Sequence, residues 1–131
     1  MKNLLSLLLV SFILSSCNSQ VNSDKHEYVN EDAIISLIEN EKIEAIDVRT
    51  PGEVDAGYVK GTEYFFDINN TNFKSNIDKL DKNKPYILIC RSGARSSSAA
   101  KYMIAQGFTK VYELKGGLNS WKKFNYLAKG M

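Results

Sequence analysis

One short segment of the sequence combines a nucleophile, positive charge and a glycine. Residues 86–89 (YILI) form an uninterrupted apolar run, which is typical of a buried strand, and they lead directly into residues 90–95 (CRSGAR). Residues 96–106 have a helical pattern, which Gly107 closes at its C-terminal end. Cys90 is therefore expected between the end of a strand and the beginning of a helix.

This position predicts a reactive cysteine at the base of an anion-binding loop. Backbone N–H groups converge at the beginning of a helix, where the helix dipole favours negative charge, and both effects stabilise a thiolate. Gly93 permits a backbone conformation barred to other residues, and the hydroxyls of Ser92 and Ser96 can donate hydrogen bonds to an oxyanion. The predicted substrates are anions or thiols that carry a transferable group on sulfur or phosphorus.

Three ordered motifs resemble signatures of the rhodanese homology family, and together they extend from about residue 44 to residue 121. Residues 47–51 (DVRTP) followed by Glu53 resemble the first signature of the family. Residues 90–96 (CRSGARS) resemble its active-site loop, and Gly116-Gly117 with Trp121 resembles its closing motif. Residues 58–62 (YVKGT) match only in part the His-Ile-Pro-Gly-Ala type of segment that often follows the first signature.

The resemblance implies a single-domain sulfurtransferase. Cys90 would take the outer sulfur of thiosulfate or of a persulfide donor, hold it as a persulfide, and pass it to a thiophilic acceptor. The donor's anionic group and the transferred sulfur would be bound by Arg91, Ser92, Gly93, Ala94, Arg95 and Ser96. The resemblance implies neither a metal ion nor an organic cofactor.

Asp47 and Arg49 are predicted to support the site rather than to perform chemistry. An acid and a base beside the end of a strand are typical of loops that are held together by hydrogen bonds and an ion pair. Arg49 is also expected to form a local ion pair with Glu53. Direct contact of Arg49 with substrate stays open.

Two other functions remain as alternatives. The first is a non-catalytic module that binds anions or a partner protein, since rhodanese-like domains also serve as regulatory units. The second is a cysteine phosphatase or arsenate reductase, in which five residues separate the cysteine from an arginine that clamps phosphate. Here only four residues separate Cys90 from Arg95, and Ser96 occupies the arginine position of the longer loop. The shorter loop favours sulfur over phosphate.

Apolar strands and amphipathic helices alternate along the chain. Strands are predicted at 45–48, 64–66, 86–89 and 111–114, and a short last helix is predicted to carry Trp121 as a core residue. Four other helices are predicted. The first begins after the capping residue Asn30, and the second begins at Pro51 inside a Thr50–Glu53 capping box. The third contains Phe73, Ile77 and Leu80, and the fourth spans 96–106. The alternation predicts an α/β fold with a small parallel central sheet, helices on both faces, and ligands at the carboxyl ends of the strands.

The first residues resemble a bacterial lipoprotein signal peptide. Lys2 precedes an apolar run at 4–14 that is short for a transmembrane span, and residues 14–17 (LSSC) resemble a lipobox, in which the cysteine is lipidated. We expect a signal peptide at 1–16, a lipid anchor on Cys17 with a flexible tether at 17–27, and a rhodanese-like domain at 28–131. A plain secretory signal or an uncleaved segment would equally export the domain, so we expect it in the cell envelope on the exported side of a membrane.

The composition is that of one globular domain. The chain has 131 residues, of which 44% are hydrophobic and 24% are charged, and its net charge is +2. Because no block of Lys and Arg stands out, we expect no nucleic-acid partner. If Cys17 is lipidated, Cys90 is the only thiol and stays free. His26, near the predicted tether, is expected to be solvated.

Overall fold

The structure is a computed structural model that describes residues 24–130. The predicted signal peptide and Cys17 lie outside the described residues. The strands are β1 (His26–Val29), β2 (Glu44–Asp47), β3 (Tyr58–Val59), β4 (Thr62–Phe65), β5 (Pro85–Ile89), β6 (Lys110–Leu114) and β7 (Leu127–Ala128). The helices are α1 (Glu31–Glu39), α2 (Pro51–Ala56), α3 (Phe73–Asp78) and α4 (Ala94–Ala105), with 3-10 turns at Gly117–Ser120 and Phe124–Tyr126.

Five strands form one parallel sheet in the order β1-β6-β5-β2-β4. A second, two-stranded sheet pairs β3 with β7 in antiparallel orientation. The central strand is β5, the most apolar run of the described chain, which is the position that a strand covered on both faces requires. The predicted α/β class with a small parallel central sheet is confirmed.

Alternate side chains of β5 enter two hydrophobic cores, one on each face of the sheet. Tyr86 and Leu88 pack with the helices α3 and α4, and Cys90 belongs to the same core. Ile87 and Ile89 pack on the opposite face against Ile34 and Leu37 of α1 and against Ile43, which follows that helix. Trp121 is 4% exposed in this second core, as predicted for a core residue. The sheet is therefore covered on both faces, and Cys90 faces α4.

The strand order places a crevice beside Cys90. Strands β2 and β5 lie side by side, and each has one further neighbour, which is β4 for β2 and β6 for β5. The chain therefore leaves these two strands in opposite directions along the sheet. The two strands pair in parallel with Asp47 opposite Ile89. The loop after β2 and the loop after β5 therefore leave the sheet at the same level, on the two sides of one opening.

Local signals in the sequence account for the N-termini of α1, α2 and α4. The side chain of Asn30 accepts a hydrogen bond from the Ala33 amide at 2.9 Å and caps α1. The predicted capping box is present in α2, where the Glu53 carboxylate accepts from the Thr50 amide at 3.1 Å. The helix predicted at 96–106 begins two residues earlier, at Ala94, because Gly93 takes the N-cap position.

Strand β1 begins inside the segment that we predicted as a tether up to residue 27. Its backbone pairs with β6, with His26 opposite Val111 and Val29 opposite Leu114. The four residues HEYV contain only one aliphatic side chain, so no apolar run signals the strand. Pairing with an apolar neighbour, rather than local preference, makes this segment the edge of the sheet.

The 3-10 turn at Gly117–Ser120 buttresses the loop after β5. The Leu118 amide donates to the carbonyl of Cys90 and the Asn119 amide donates to that of Arg91, both at 2.9 Å. A Cβ atom on Gly117 would lie 2.6 Å from the carbonyl carbon and oxygen of Arg91. The two backbones approach so closely that only glycine fits between them.

We expect Gly117→Ala to destabilise the domain more than a matched glycine substitution does. Gly117 and Gly107 both have a positive φ, +61° and +96°, but a Cβ on Gly107 meets no atom within 4 Å. A side chain strains the backbone at both positions, but the clash with a neighbouring backbone is specific to Gly117. Urea unfolding should show that Gly117→Ala loses about 1–3 kcal/mol more than Gly107→Ala. Equal losses would show that this close approach does not constrain the loop.

Candidate active site

The sulfur of Cys90 lies at the N-terminus of α4, as the sequence predicts. Cys90 is a free thiol with a side chain 1% exposed, and its Sγ accepts a hydrogen bond from the Gly93 amide at 2.9 Å. Gly93 has a φ of +102°, in the left-handed region that favours glycine. The Ser96 hydroxyl is 3.4 Å from the sulfur. A backbone donor and the dipole of a twelve-residue helix therefore meet at the sulfur atom.

Arg95 is engaged by a carboxylate outside the loop. Its two terminal nitrogens donate to the two oxygens of Glu53, each at 2.7 Å. These hydrogen bonds are the main cause that lowers the pKa of Glu53 from 4.5 to about 2, and the same contact raises the pKa of Arg95. The predicted ion pair between Arg49 and Glu53 is wrong, because only the backbone oxygen of Glu53 accepts from Arg49, at 3.2 Å.

Asp47 and Arg49 form a buried ion pair at the end of β2. The Arg49 side chain is 7% exposed and donates to both carboxylate oxygens of Asp47, at 2.7 to 3.1 Å. Its guanidinium also donates to the backbone oxygen of Gly57 at 2.7 Å. Through the backbone oxygens of Glu53 and Gly57, Arg49 ties α2 and its C-cap to the end of the strand.

A cleft of about 580 Å³ opens between the two loops at the carboxyl ends of β2 and β5. Arg91, whose side chain is exposed, lies on its wall, and so does Asn119 of the buttressing turn. The remaining wall residues are Arg49, Thr50, Gly52, Glu53, Ala56 and Leu118. Of the arginines on this wall, Arg49 is held by Asp47, so Arg91 is the cation that is available to an anion in the cleft.

A hydrogen-bonded network that the sequence did not predict lies behind the sulfur. Glu113 of β6 is fully buried, and one of its carboxylate oxygens accepts from the Ser96 hydroxyl at 2.5 Å. Ser97 contacts the same carboxylate at 3.2 Å. The other oxygen contacts the imidazole of His26, whose side chain is 22% exposed. The expectation that His26 is merely solvated is wrong, because β1 carries it onto the edge of this network.

Of the six predicted loop residues, the structure places Gly93 and Ser96 against the sulfur. Ser92 and Ala94 are exposed at the mouth of the loop. Among residues 24–130, no group of three or more His, Cys, Asp and Glu side chains is placed to hold a metal ion. The arrangement is thus a buried sulfur nucleophile with one amide donor, one accessible cation and a cleft beside its loop, which suits attack on an anionic or sulfur-containing substrate.

Comparison with known proteins agrees with this class of enzyme. The rhodanese-like domain family matches residues 30–124. The thiosulfate sulfurtransferase GlpE of Shewanella oneidensis is 31% identical over 105 residues, which cover 80% of this chain and 99% of that protein. The GlpE of Pseudomonas aeruginosa is 32% identical over 100 residues, which cover 76% and 87% of the two chains. The chain therefore belongs to the rhodanese family, and the expectation of a sulfurtransferase, with a sulfur donor and a sulfur acceptor, is confirmed.

Solved structures give the same fold. A rhodanese-like domain protein from Staphylococcus aureus aligns with a TM-score of 0.66 at 23% identity, covering 82% of this chain and 99% of that one. A polysulfide-sulfur transferase from Wolinella succinogenes, solved as a homodimer, aligns with a TM-score of 0.58 at 32% identity, covering 76% and 74%. The second structure joins the fold to sulfur transfer in a relative.

We expect the contact between Glu53 and Arg95 to make stability depend on acid pH. Because the folded-state pKa of Glu53 lies below its ordinary value, the contact stabilises the fold above about pH 4.5, and this contribution is lost as the pH falls towards 2. Glu53→Gln should therefore lower the free energy of unfolding by about 1 kcal/mol near neutral pH. The difference from wild type should shrink at each step below pH 4.5.

Urea unfolding at a series of pH values measures this difference. The control is Glu41→Gln, which removes an exposed carboxylate before the amino end of β2, at the other end of the sheet from the cleft. The control should follow the wild-type pH dependence. A Glu53→Gln curve parallel to wild type at every pH would contradict the assignment.

Proposed function

We propose that this protein moves sulfane sulfur from thiosulfate or a persulfide donor to a thiophilic acceptor, and carries it as a persulfide on Cys90. The observation that supports this most directly is the position of the Cys90 sulfur, which accepts from the Gly93 amide at the N-terminus of α4. Backbone donors suit a sulfur that carries negative charge both before and after it has been loaded.

The transfer takes two displacements at sulfur. In the first, the Cys90 thiolate attacks the outer sulfur of thiosulfate, a new S–S bond forms, the old S–S bond breaks, and sulfite leaves with the electron pair. In the second, an acceptor thiolate attacks the outer sulfur of the persulfide, and Cys90 leaves as a thiolate. Neither step requires an external oxidant or reductant, so the chemistry is complete with the cysteine, the donor and the acceptor.

The cleft beside the loop gives the donor a route and a counter-ion. Arg91 faces it and is free to pair with the sulfonate oxygens of thiosulfate or with the charge of another donor. Arg95 has a different task, because both of its terminal nitrogens are used by Glu53 and hold the beginning of α4 against α2. We therefore assign donor attraction to Arg91 and loop positioning to Arg95.

The engagement of Arg95 also favours sulfur transfer over phosphate or arsenate chemistry. An arginine that clamps phosphate must direct its nitrogens into the anion cradle, whereas here they point at Glu53. Ser96, at the position where the longer loop has its arginine, is fully buried against Glu113. Neither side chain is arranged to bind the three equatorial oxygens of a phosphoryl group.

We further propose that the domain is exported and held at a bacterial membrane by a lipid on Cys17. The support is the lipobox-like sequence at residues 14–17 and the apolar run that precedes it. Residues 24–130 contain no helix with the length and apolarity that crossing a bilayer requires. In this arrangement the sulfur would be delivered to thiols outside the cytoplasm.

Turnover with thiosulfate and cyanide tests the proposed carrier. The wild-type chain should release thiocyanate, and Cys90→Ala should fall to the background rate because no sulfur nucleophile remains. Intact mass analysis of wild type after thiosulfate treatment should show one added sulfur atom, and Cys90→Ser should show none. Neither wild type nor the Cys90 variants should turn over an aryl phosphate or arsenate.

Two outcomes would contradict the carrier. Folded, reduced wild type that gains no sulfur from thiosulfate or from other persulfide donors would show that Cys90 does not carry sulfur. A Cys90→Ser variant with full function in cells would instead favour a module that binds anions or a partner protein.

Substitution of Cys17 tests the anchor. Cys17→Ala should lose incorporation of labelled fatty acid and leave the membrane fraction, because the thiol that takes up the lipid is absent. Cys90→Ala is the matched control and should stay labelled and membrane-bound. Equal labelling of both variants would show that the anchor is elsewhere or that the segment is not a lipoprotein signal.

A further inference from the structure

Glu113 is a buried carboxylate directly behind the proposed sulfur carrier. It is fully buried in β6, and it lies on the face of the sheet that packs against α4, as Cys90 does. A buried carboxylate in a parallel strand is costly unless its oxygens are hydrogen-bonded. Its partners are Ser96, Ser97 and His26, so it is fully satisfied.

The Ser96 hydroxyl has one proton and three acceptors within reach. Its Oγ lies 2.5 Å from Glu113 Oε1, 3.2 Å from the Gly93 carbonyl oxygen and 3.4 Å from Cys90 Sγ. The shortest of these is the contact with Glu113, and an ionised carboxylate can only accept. The Ser96 hydroxyl therefore donates its proton to Glu113, and the lone pairs of its oxygen face the sulfur. This orientation suits a protonated thiol that donates to Ser96, and it disfavours a thiolate.

We propose that Glu113 is a positioning residue that sets the direction of the Ser96 hydroxyl, so that the Cys90 sulfur becomes negatively charged when Glu113 takes up a proton. In this arrangement the site holds one negative charge, on Glu113 in the resting enzyme and on sulfur in the reactive one. His26 connects the carboxylate to solvent.

The proton transfer balances along the chain of contacts. The thiol S–H bond breaks and its proton passes to Ser96 Oγ, while the original hydroxyl proton passes to Glu113 Oε1. Ser96 then donates to the thiolate, and the neutral acid donates to Ser96.

The groups facing this carboxylate come from three elements. His26 and Tyr28 belong to β1, and Tyr28 reaches Glu113 through Ser97, whose hydroxyl is 3.2 Å from the tyrosine oxygen. Ser96 and Ser97 belong to α4. Cys90 follows β5 and connects through Ser96. Arg95, the neighbour of Ser96, pairs with Glu53 and not with Glu113.

The test follows the ultraviolet absorbance of the thiolate against pH, in a chain that carries Cys17→Ser so that Cys90 is its only thiol. In Glu113→Gln, the amide N–H donates to Ser96, which turns its hydroxyl towards the sulfur. The thiolate fraction at a fixed pH should therefore rise about two- to tenfold, the range expected for one hydrogen bond. In Ser96→Ala the fraction should fall, because the thiolate loses its hydroxyl donor.

A double variant separates positioning from simple removal of charge. If Glu113 acts through Ser96, then Glu113→Gln has no further effect in the Ser96→Ala background. The control is Glu27→Gln, which removes another ion pair between β1 and β6, the contact of Glu27 with Lys110 at 2.8 Å. It should leave the thiolate titration unchanged.

Several outcomes would overturn the inference. They are an unchanged titration in folded Glu113→Gln, a shift of the same size with and without Ser96, and a shift in Glu27→Gln. If Glu113→Gln does not fold, Ser96→Ala alone decides, since an undiminished thiolate fraction there contradicts the proposal. The inference deepens the proposed function by explaining how Cys90 is ionised. The titration uses no sulfur donor, so it can fail or succeed independently of sulfur transfer.

Discussion

The left-handed backbone at Gly93 is the constraint on which the site depends. At a φ of +102°, this residue turns the chain so that its amide donates to the Cys90 sulfur while its carbonyl accepts from the Ser97 amide and begins α4. Gly93 thus ends the loop, occupies the N-cap position of α4 and donates a hydrogen bond to the sulfur of Cys90. A side chain here would strain the backbone, although it would meet no neighbouring atom. The requirement is therefore one of conformation and not of space.

Ion pairs around the loop fix the relative position of the two central strand ends. Asp47 and Arg49 close the turn after β2, and Glu53 binds Arg95 across the cleft to the beginning of α4. Arg49 and Arg95 are both held in these ion pairs. Arg91 is therefore the positive charge on the cleft wall that an incoming anion can bind. Burial accounts for the pair of Arg49, whose side chain is 7% exposed, because a charge shielded from water needs a partner.

The sequence predicted what local rules determine and missed what distant contacts determine. The Thr50–Glu53 capping box, the strand that delivers Cys90 and the glycine of the loop all follow from neighbours within a few residues. Glu53 and Arg95 are 42 residues apart, and His26 and Glu113 are 87 apart, so their pairing depends on a strand order that composition does not reveal. The local pair expected between Arg49 and Glu53 fails for the same reason, because the Glu53 carboxylate binds the distant Arg95. One signal for the missed network was present: Glu113 lies in the run VYEL, a strand of a sheet predicted to have helices on both faces, and a charge at such a position requires a partner.

The charges near Cys90 differ in how firmly each is compensated. Asp47 and Glu53 are each bound to an arginine, whose guanidinium does not lose its proton in proteins. The partner of Glu113 is an imidazole, which is charged only when it is protonated. Of these three carboxylates, Glu113 is also the one that touches a hydroxyl in contact with the sulfur. The two firmly paired acids can therefore hold the loops at constant charge, while the variable pair lies where a change of charge is transmitted to the nucleophile. In the proposed mechanism, this division lets the fold keep its geometry while the sulfur is ionised, loaded and unloaded.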